Sequence, residues 1–262
     1  MTFQLQDAGV VITGGGGGIG AAMARVFTAA GARVVLADIA PGRVNEIADE
    51  LGATAIVGDA ASEDGVASLI EQSREALGRI DMFCANAGIA NIGGPELSDD
   101  VWHRTWDVNV MAHVRAARLL LPEWLERGEG RFVATVSAAG IVTSLGAAPY
   151  AVTKHAALAF AEWMSATYRH RGITVQAICP LGVNTQMLAD TGPGGQLMMA
   201  ADAISPEQLA DVVAEGLADD RFLILPHPQV HDYFVARASD HERWLGGMNK
   251  LQRQIETVVG QD

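Results

Sequence analysis

Only two cysteines, Cys84 and Cys179, occur in 262 residues, and each stands at the end of an apolar run. That excludes a disulfide framework and reads as two buried thiols in a reducing compartment. Basic residues are few: 18 Lys and Arg face 31 Asp and Glu, a formal net charge of -13, which opposes attraction to nucleic acid or to an anionic membrane. No uninterrupted apolar run long enough to cross a membrane is present. The opening "MTFQLQDAGV" has neither the basic n-region nor the apolar h-region of a secretory signal. The expectation is a cytoplasmic protein with no nucleic-acid or membrane partner. Metal-ligand patterns are missing as well. His227 and His231 stand four apart with no Cys or further His to complete a site, and no H-E-x-x-H occurs, so no metal is expected.

What is abundant is apolar side chain, 49% of residues, enough for a continuous core. Apolar runs at 10–13, 33–37, 54–58, 80–85, 131–136, 173–178 and 222–225 read as seven strands. Their Val/Ile/Leu character without polar alternation suits a parallel sheet covered on both faces. Helical patterns fill 18–30, 43–51, 62–77, 98–126, 149–170 and 206–218, with Ser62, Ser98 and Ser205 as N-caps. This alternation argues for an α/β, doubly wound fold, a seven-stranded parallel sheet between two layers of helices. No repeat or linker divides the chain, so a single domain over 1–262 is expected. Within it, "TGPGGQ" (191–196) reads as a mobile loop in a substrate loop of about 186–204, and about 228–257 as a C-terminal helical extension.

The stretch "TGGGGGIG" (13–20) follows the first strand and opens a helix. There, backbone N–H groups and the helix dipole receive a dinucleotide pyrophosphate. The run fits G-x-G-x-x-G through Gly15, Gly17 and Gly20, and equally T-G-x-x-x-G-x-G through Thr13, Gly14, Gly18 and Gly20. Asp38 ends the second strand, 18 residues after Gly20, where a carboxylate accepts hydrogen bonds from ribose hydroxyls and repels a 2′-phosphate. With no basic residue at Gly15 or Ile39, the cofactor reads as NAD in preference to NADP. Further along, Tyr150 and Lys154 share a helix face at i and i+4, and Ser137 lies 13 residues before Tyr150 at the carboxyl end of a strand.

Together these residues resemble the short-chain dehydrogenase/reductase family, in its short single-domain subgroup, over nearly the whole chain. The matching residues are "TGGGGGIG", Asp59, "NAG" (86–88), Asn109 in "DVNV", Ser137, "YAVTK" (150–154) and "CPLGVNT" (179–185). The resemblance implies a Rossmann-like domain and selects Gly14, Gly18 and Gly20, leaving Gly15, Gly16 and Gly17 as a tolerant interior. It implies Tyr150 as general acid/base in the interconversion of a secondary alcohol and its ketone. Lys154 would lower the tyrosine pKa and hold the nicotinamide ribose, Ser137 would polarise the substrate oxygen, and Asn109 would anchor a water in a proton relay. The chemistry is consistent, because a phenol of ordinary pKa near 10 is a poor base at neutral pH and a nearby ammonium makes it a better one. NAD would be held by Gly14, Gly18, Ile19, Gly20 and Asp38, by Asp59 and Ala60 at the adenine, and by Asn86, Ala87 and Gly88 beneath its ribose. Tyr150 and Lys154 contribute too, and Pro180, Val183 and Thr185 lie at the nicotinamide. One departure stands out: Leu181 follows Pro180 where the family has glycine, with Gly182 one place later. The turn geometry is then open, since Leu avoids positive φ.

By family position Ala138, Ala139, Ile141, Leu145 and Leu181 face the substrate, as do Met187 and Leu188, with Leu197, Met198 and Met199 on the substrate loop. None is basic, so an acid or phosphate would lack a counter-ion. The implied substrate is an uncharged, largely hydrophobic secondary alcohol or ketone, oxidised with NAD. A ketone reductase built on the same residues is an alternative, as is a nucleotide-sensing protein without catalysis. The stretch 226–256 runs past the family's usual end, either as a subunit contact or as a cap over the substrate entrance. The resemblance also implies a homodimer or homotetramer built on the helices at 98–126 and 149–170.

Overall fold

Val10 and Ile12 pack on one face of the central sheet and Val11 on the other, as the two-residue period of a strand requires. The same alternation recurs in every long strand, so both faces are apolar and both must be covered by helices. The computed structural model describes residues 3–259, apart from the side chains at 193, 197, 198, 258 and 259. Its strands are β1 Gly9–Thr13, β2 Arg33–Asp38, β3 Thr54–Val57, β4 Met82–Ala85, β5 Gly130–Thr135, β6 Ile173–Ile178 and β7 Leu223–Ile224. They form one parallel sheet in the order β3-β2-β1-β4-β5-β6-β7. All seven apolar runs contain strands; β3, β4 and β7 are shorter than their runs, β7 being reduced to two residues.

The helices are α1 Gly18–Ala29, α2 Pro41–Leu51, α3 Glu63–Leu77, α4 Asp99–Trp106, α5 Ala112–Arg127, α6 Ala139–Val142 and α7 Ala148–Tyr168. After these come α8 Gln186–Ala189, α9 Gly192–Met199, α10 Pro206–Ala218, α11 Gln229–Ser239 and α12 His241–Val259. Phe27 of α1, Val44 of α2 and Leu209 of α10 cover one face of the sheet, and Ile70 of α3, Leu120 of α5 and Met164 of α7 cover the other. Both cysteines are buried and free. Among the described residues no helix is long and apolar enough to cross a membrane.

Three local expectations need correction. The single helix over 98–126 is instead α4 and α5 joined by a π-helical turn, Asp107–Met111, which carries Asn109 inward. Ser98 has N-cap backbone geometry but makes no side-chain cap bond; the carbonyl of Ser98 accepts from Val101 and Trp102 instead. The stretch "TGPGGQ" is not a loop, because α9 starts within it at Gly192. A proline in the first turn of a helix loses no hydrogen bond, so the Gly-Pro pair opens the helix. The C-terminal extension is the helix pair α11 and α12, which contact each other.

The strand order reverses between β1 and β4, which leaves a crevice at the carboxyl ends of the strands where helices depart to opposite faces. Ser62 and Ser205 do cap their helices, and Ser205 with Gln208 forms a reciprocal capping box at 3.2 and 2.9 Å. Ser205→Ala is therefore expected to lower stability by about 1 kcal/mol, while Ser98→Ala leaves it unchanged. Urea denaturation of the two variants checks this; equal losses would contradict it.

Candidate active site

At the end of β1 the Thr13 hydroxyl accepts hydrogen bonds from the backbone N–H groups of Asn86 and Ala87, each at 3.0 Å, and donates to the Cys84 carbonyl at 3.3 Å. The Asn86 carboxamide returns the link, donating to the Thr13 carbonyl at 2.9 Å and accepting from the Thr135 hydroxyl at 3.0 Å. The "NAG" loop is thereby fastened to the glycine loop on one side and to β5 on the other. Gly14 has φ 65°, and an added Cβ there would lie 3.1 Å from both Ala87 Cα and Asn86 Nδ2. A Cβ on Gly20 would stand 2.2 Å from the Gly14 carbonyl oxygen, and one on Gly18 would stand 2.8 Å from Thr185 Cγ2.

The interior glycines are not alike, which corrects the expectation of tolerance. A Cβ at Gly15 would meet Leu36 Cβ at 2.9 Å and its Cα at 3.2 Å, and one at Gly16 would meet Asp38 Oδ2 at 3.2 Å. Only Gly17 has room, its nearest neighbour being the Gly14 carbonyl at 3.4 Å. The Asp38 carboxylate accepts from the N–H groups of Gly16 and Ala40, both at 3.0 Å, so it is held at the mouth of the loop. Asp59 accepts from Ala61 N–H at 3.0 Å and pairs with Arg104 at 3.4 Å.

On the other side of the crevice, β5 and α7 bring Ser137, Tyr150 and Lys154 together. Lys154 is 3% exposed. Its ammonium donates to the Thr135 carbonyl at 2.8 Å and lies 5.6 Å from the centre of the Tyr150 ring. Burial lowers its pKa to about 8, so it stays mostly charged at neutral pH. Burial pushes the Tyr150 phenol above its ordinary value, and its hydrogen bond with Ser137 pulls the other way. The net direction is opposite to the lowering expected for this tyrosine. The Ser137 hydroxyl accepts from Ala139 N–H at 3.1 Å, while its contact with the Pro180 carbonyl, at 3.5 Å, is long. Its proton is free to be redirected to a closer acceptor.

Asn109 is fully buried in the π-helical turn. Its carboxamide accepts from Ile89 N–H at 3.0 Å and donates to the Ile89 carbonyl at 2.9 Å and the Thr153 hydroxyl at 3.0 Å. Thr153 in turn donates to the Tyr150 carbonyl at 3.0 Å. Both amide protons are thus committed to protein partners, and this residue, unlike Ser137, Tyr150, Lys154 and the predicted cofactor residues, does not line the cavity.

Leu181 is not among the residues with positive φ, so the missing glycine causes no strain. Its N–H is taken up by His227 Nδ1 at 3.1 Å, and His227 Nε2 faces the Asp202 carbonyl at 3.1 Å. These partners require the tautomer with hydrogen on Nε2, and burial lowers the pKa of the ring. Gly182 is small for another reason: a Cβ there would stand 2.4 Å from the Met199 carbonyl oxygen at the end of α9. Thr143, beside the cavity between α6 and α7, does carry a positive φ of 74°.

All of the predicted cofactor residues and Ser137 line one continuous cavity of about 1510 Å³, more than the roughly 300–1,000 Å³ of a single small-molecule site. Of the expected substrate-facing residues, Leu145, Leu181, Met187, Leu188 and Met199 line it, as do Ala138 and Ala139. Ile141 does not: the short α6 turns it into the core, where it is 2% exposed. The side chains of Leu197 and Met198 lie outside the described residues. Arg104 and Lys154 are the cations on the cavity wall among the described residues.

Sequence reasoning missed four residues of this site. Thr135 stands two positions before Ser137 on the same strand face, and Thr153 stands one turn from Tyr150, so periodicity could have found both. His227, 46 residues from Leu181, and Arg104, 45 from Asp59, had no local signal.

A family model described as short chain dehydrogenase matches residues 8–194. A 1-deoxy-11-beta-hydroxypentalenate dehydrogenase of Streptomyces exfoliatus is 36% identical, over 85% of this chain and 84% of its own. A meso-2,3-butanediol dehydrogenase of Serratia marcescens is 34% identical, over 82% of this chain and 89% of its own. Among solved structures, a short chain dehydrogenase/reductase of Burkholderia phymatum in complex with NAD superposes with a TM-score of 0.85 at 26% identity, covering 92% of this chain and 96% of that one.

The glycine contacts lead to a direct expectation. Gly15→Ala and Gly20→Ala each lower Tm by about 4 °C or more, since overpacking costs roughly 1–3 kcal/mol, while Gly17→Ala leaves it within about 2 °C. Differential scanning calorimetry reads all three; equal shifts would contradict the contacts.

Proposed function

The chain belongs to the short chain dehydrogenase family, and on that premise we propose that it oxidises an uncharged, largely hydrophobic secondary alcohol to its ketone with NAD. The observation that carries this reading is the convergence of Ser137, Tyr150 and Lys154 on the same cavity as the Gly14–Gly20 loop. The loop offers bare backbone and the N-terminus of α1 to the cavity, a fitting cradle for a pyrophosphate. Asp38 at its mouth fits two ribose hydroxyls and disfavours a 2′-phosphate, which supports NAD over NADP. When bound, the nicotinamide supplies the hydride acceptor for the carbinol carbon.

The chain's own residues do the rest. Ser137 donates its proton to the substrate oxygen and holds it beside the phenol. Tyr150 takes the hydroxyl proton as the carbonyl forms, acting as general base. Lys154, anchored on the Thr135 carbonyl, would favour the phenolate by its charge and hold a ribose hydroxyl. Asn109 is a positioning residue: through Thr153 it fixes the turn of α7 that carries Tyr150. Asp59, Ala60, Asn86, Ala87 and Gly88 would flank the adenosine, and Pro180, Val183 and Thr185 the carboxamide. We further read the chain as one cytoplasmic domain that assembles with copies of itself. Exposed Trp106 of α4 and Val152 and Trp163 of α7 support that assembly.

Tyr150→Phe is expected to cut kcat by more than about tenfold while leaving NADH binding within about threefold. NADH absorbance and fluorescence titration read the two, and a variant that keeps its turnover would sink the assignment. The raised Tyr150 pKa also sets a pH sign. Alcohol oxidation needs the phenolate, so its kcat/KM rises with pH throughout the range below the ordinary phenol pKa near 10, and the upward shift moves that rise to higher pH. Ketone reduction needs the phenol and does not rise over that range. An oxidation profile flat across it would contradict the role of Tyr150.

A further inference from the structure

The extension α11–α12 lies beyond the span 8–194 that matches the family, yet α12 reaches the cavity. Trp244, Met248, Leu251 and Ile255 line it, at i, i+4, i+7 and i+11, one face of a helix. These four and Gln252 are the half-buried residues of α12 through residue 257, and the rest of that span is exposed. The helix packs chiefly on α9 and α11, so much of its apolar stripe faces cavity space. At about 1.5 Å per residue the stripe is roughly 16 Å long. Tyr233 of α11 stands beside it, and Leu145, Met187 and Leu188 also line the space. Besides Asp38 and Asp59, the carboxylates lining the cavity are Glu96, Asp190 and Glu256, the last on α12 itself. The two lining cations are already engaged, Arg104 paired with Asp59 and Lys154 bound to Thr135.

We propose that α12 is the substrate-selecting wall: its Trp244–Met248–Leu251–Ile255 stripe receives the apolar body of a bulky, uncharged secondary alcohol whose carbinol group lies at Tyr150. The inference rests on the alcohol dehydrogenase reading above. A small alcohol reaches Ser137 and Tyr150 without touching α12, whereas a large one buries its far end on the stripe and gains affinity from it. An anionic far end would meet Glu256 on α12, while both lining cations are already paired or bonded, Arg104 to Asp59 and Lys154 to Thr135, which disfavours it.

The test uses full-length protein with NAD and two neutral probes, cyclododecanol and butan-2-ol, reading kcat/KM for NADH formation. Three chains are compared: the natural one, Met248→Ala/Leu251→Ala, and Leu245→Ala, whose side chain is 47% exposed on the outer side of α12. Expected is a preference of the natural chain for cyclododecanol, reduced about tenfold or more in the double variant by a rise in KM. Butan-2-ol kinetics change less than about twofold and report that the fold is intact. Leu245→Ala changes neither probe. If the natural chain oxidises both probes and the double variant loses neither, or loses both equally, the wall is refuted and the dehydrogenase reading stands. If the natural chain oxidises no secondary alcohol, that reading falls and the wall with it.

Discussion

The Asn86 carboxamide holds the two halves of the site in one frame. It donates to the Thr13 carbonyl at the end of β1 and accepts from the Thr135 hydroxyl at the end of β5. Thr135 passes the link on, because its carbonyl accepts the Lys154 ammonium. A continuous hydrogen-bonded line thus runs across the carboxyl ends of β1, β4 and β5 to α7. Each member is largely withdrawn from water, where an unmet polar group costs about 1–3 kcal/mol. The glycine loop can therefore shift relative to the Tyr150–Lys154 helix only by breaking these bonds.

Burial also sets the charges of the site. The same desolvation that raises the Tyr150 phenol lowers the Lys154 ammonium to about 8. Their order is thereby reversed: the buried phenol holds its proton more tightly than the ammonium does, whereas a free phenol holds it slightly less tightly than a free amine. His113 behind them is pushed down to about 3 by burial and by the Lys154 charge, so it is neutral and adds no competing cation. Cys179, next to Pro180, is raised to about 12 and stays a thiol. Lys154 is left as the one charged group at the catalytic end of the site among these buried neighbours.

Much of this was legible in the sequence because it rests on period and spacing. Seven apolar runs of strand length, each followed by a helical pattern, admit few arrangements other than a doubly wound sheet. Tyr150 and Lys154 at one helical turn, with Ser137 at a strand end, define a cluster from local geometry alone. What escaped depends on contacts between distant segments. The π-helical turn is invisible because the apolar pattern runs through Asp107–Met111 unbroken. Gly15 reads as spare until Leu36 of β2 is seen beneath it. Leu181 reads as strained until His227, brought in by the C-terminal segment, takes its N–H. The α9 helix was hidden by a Gly-Pro pair that signals a break inside an element and a start at its edge.

The claim that the Asn86 line couples cofactor loop to catalytic helix is tested most directly by NAD affinity and turnover in Asn86→Leu. The account predicts that both fall, with kcat remaining about tenfold low or worse at saturating NAD, because Thr135 and Lys154 have lost their register as well. Recovery of full turnover once NAD saturates would contradict it, since Asn86 would then serve the cofactor loop alone.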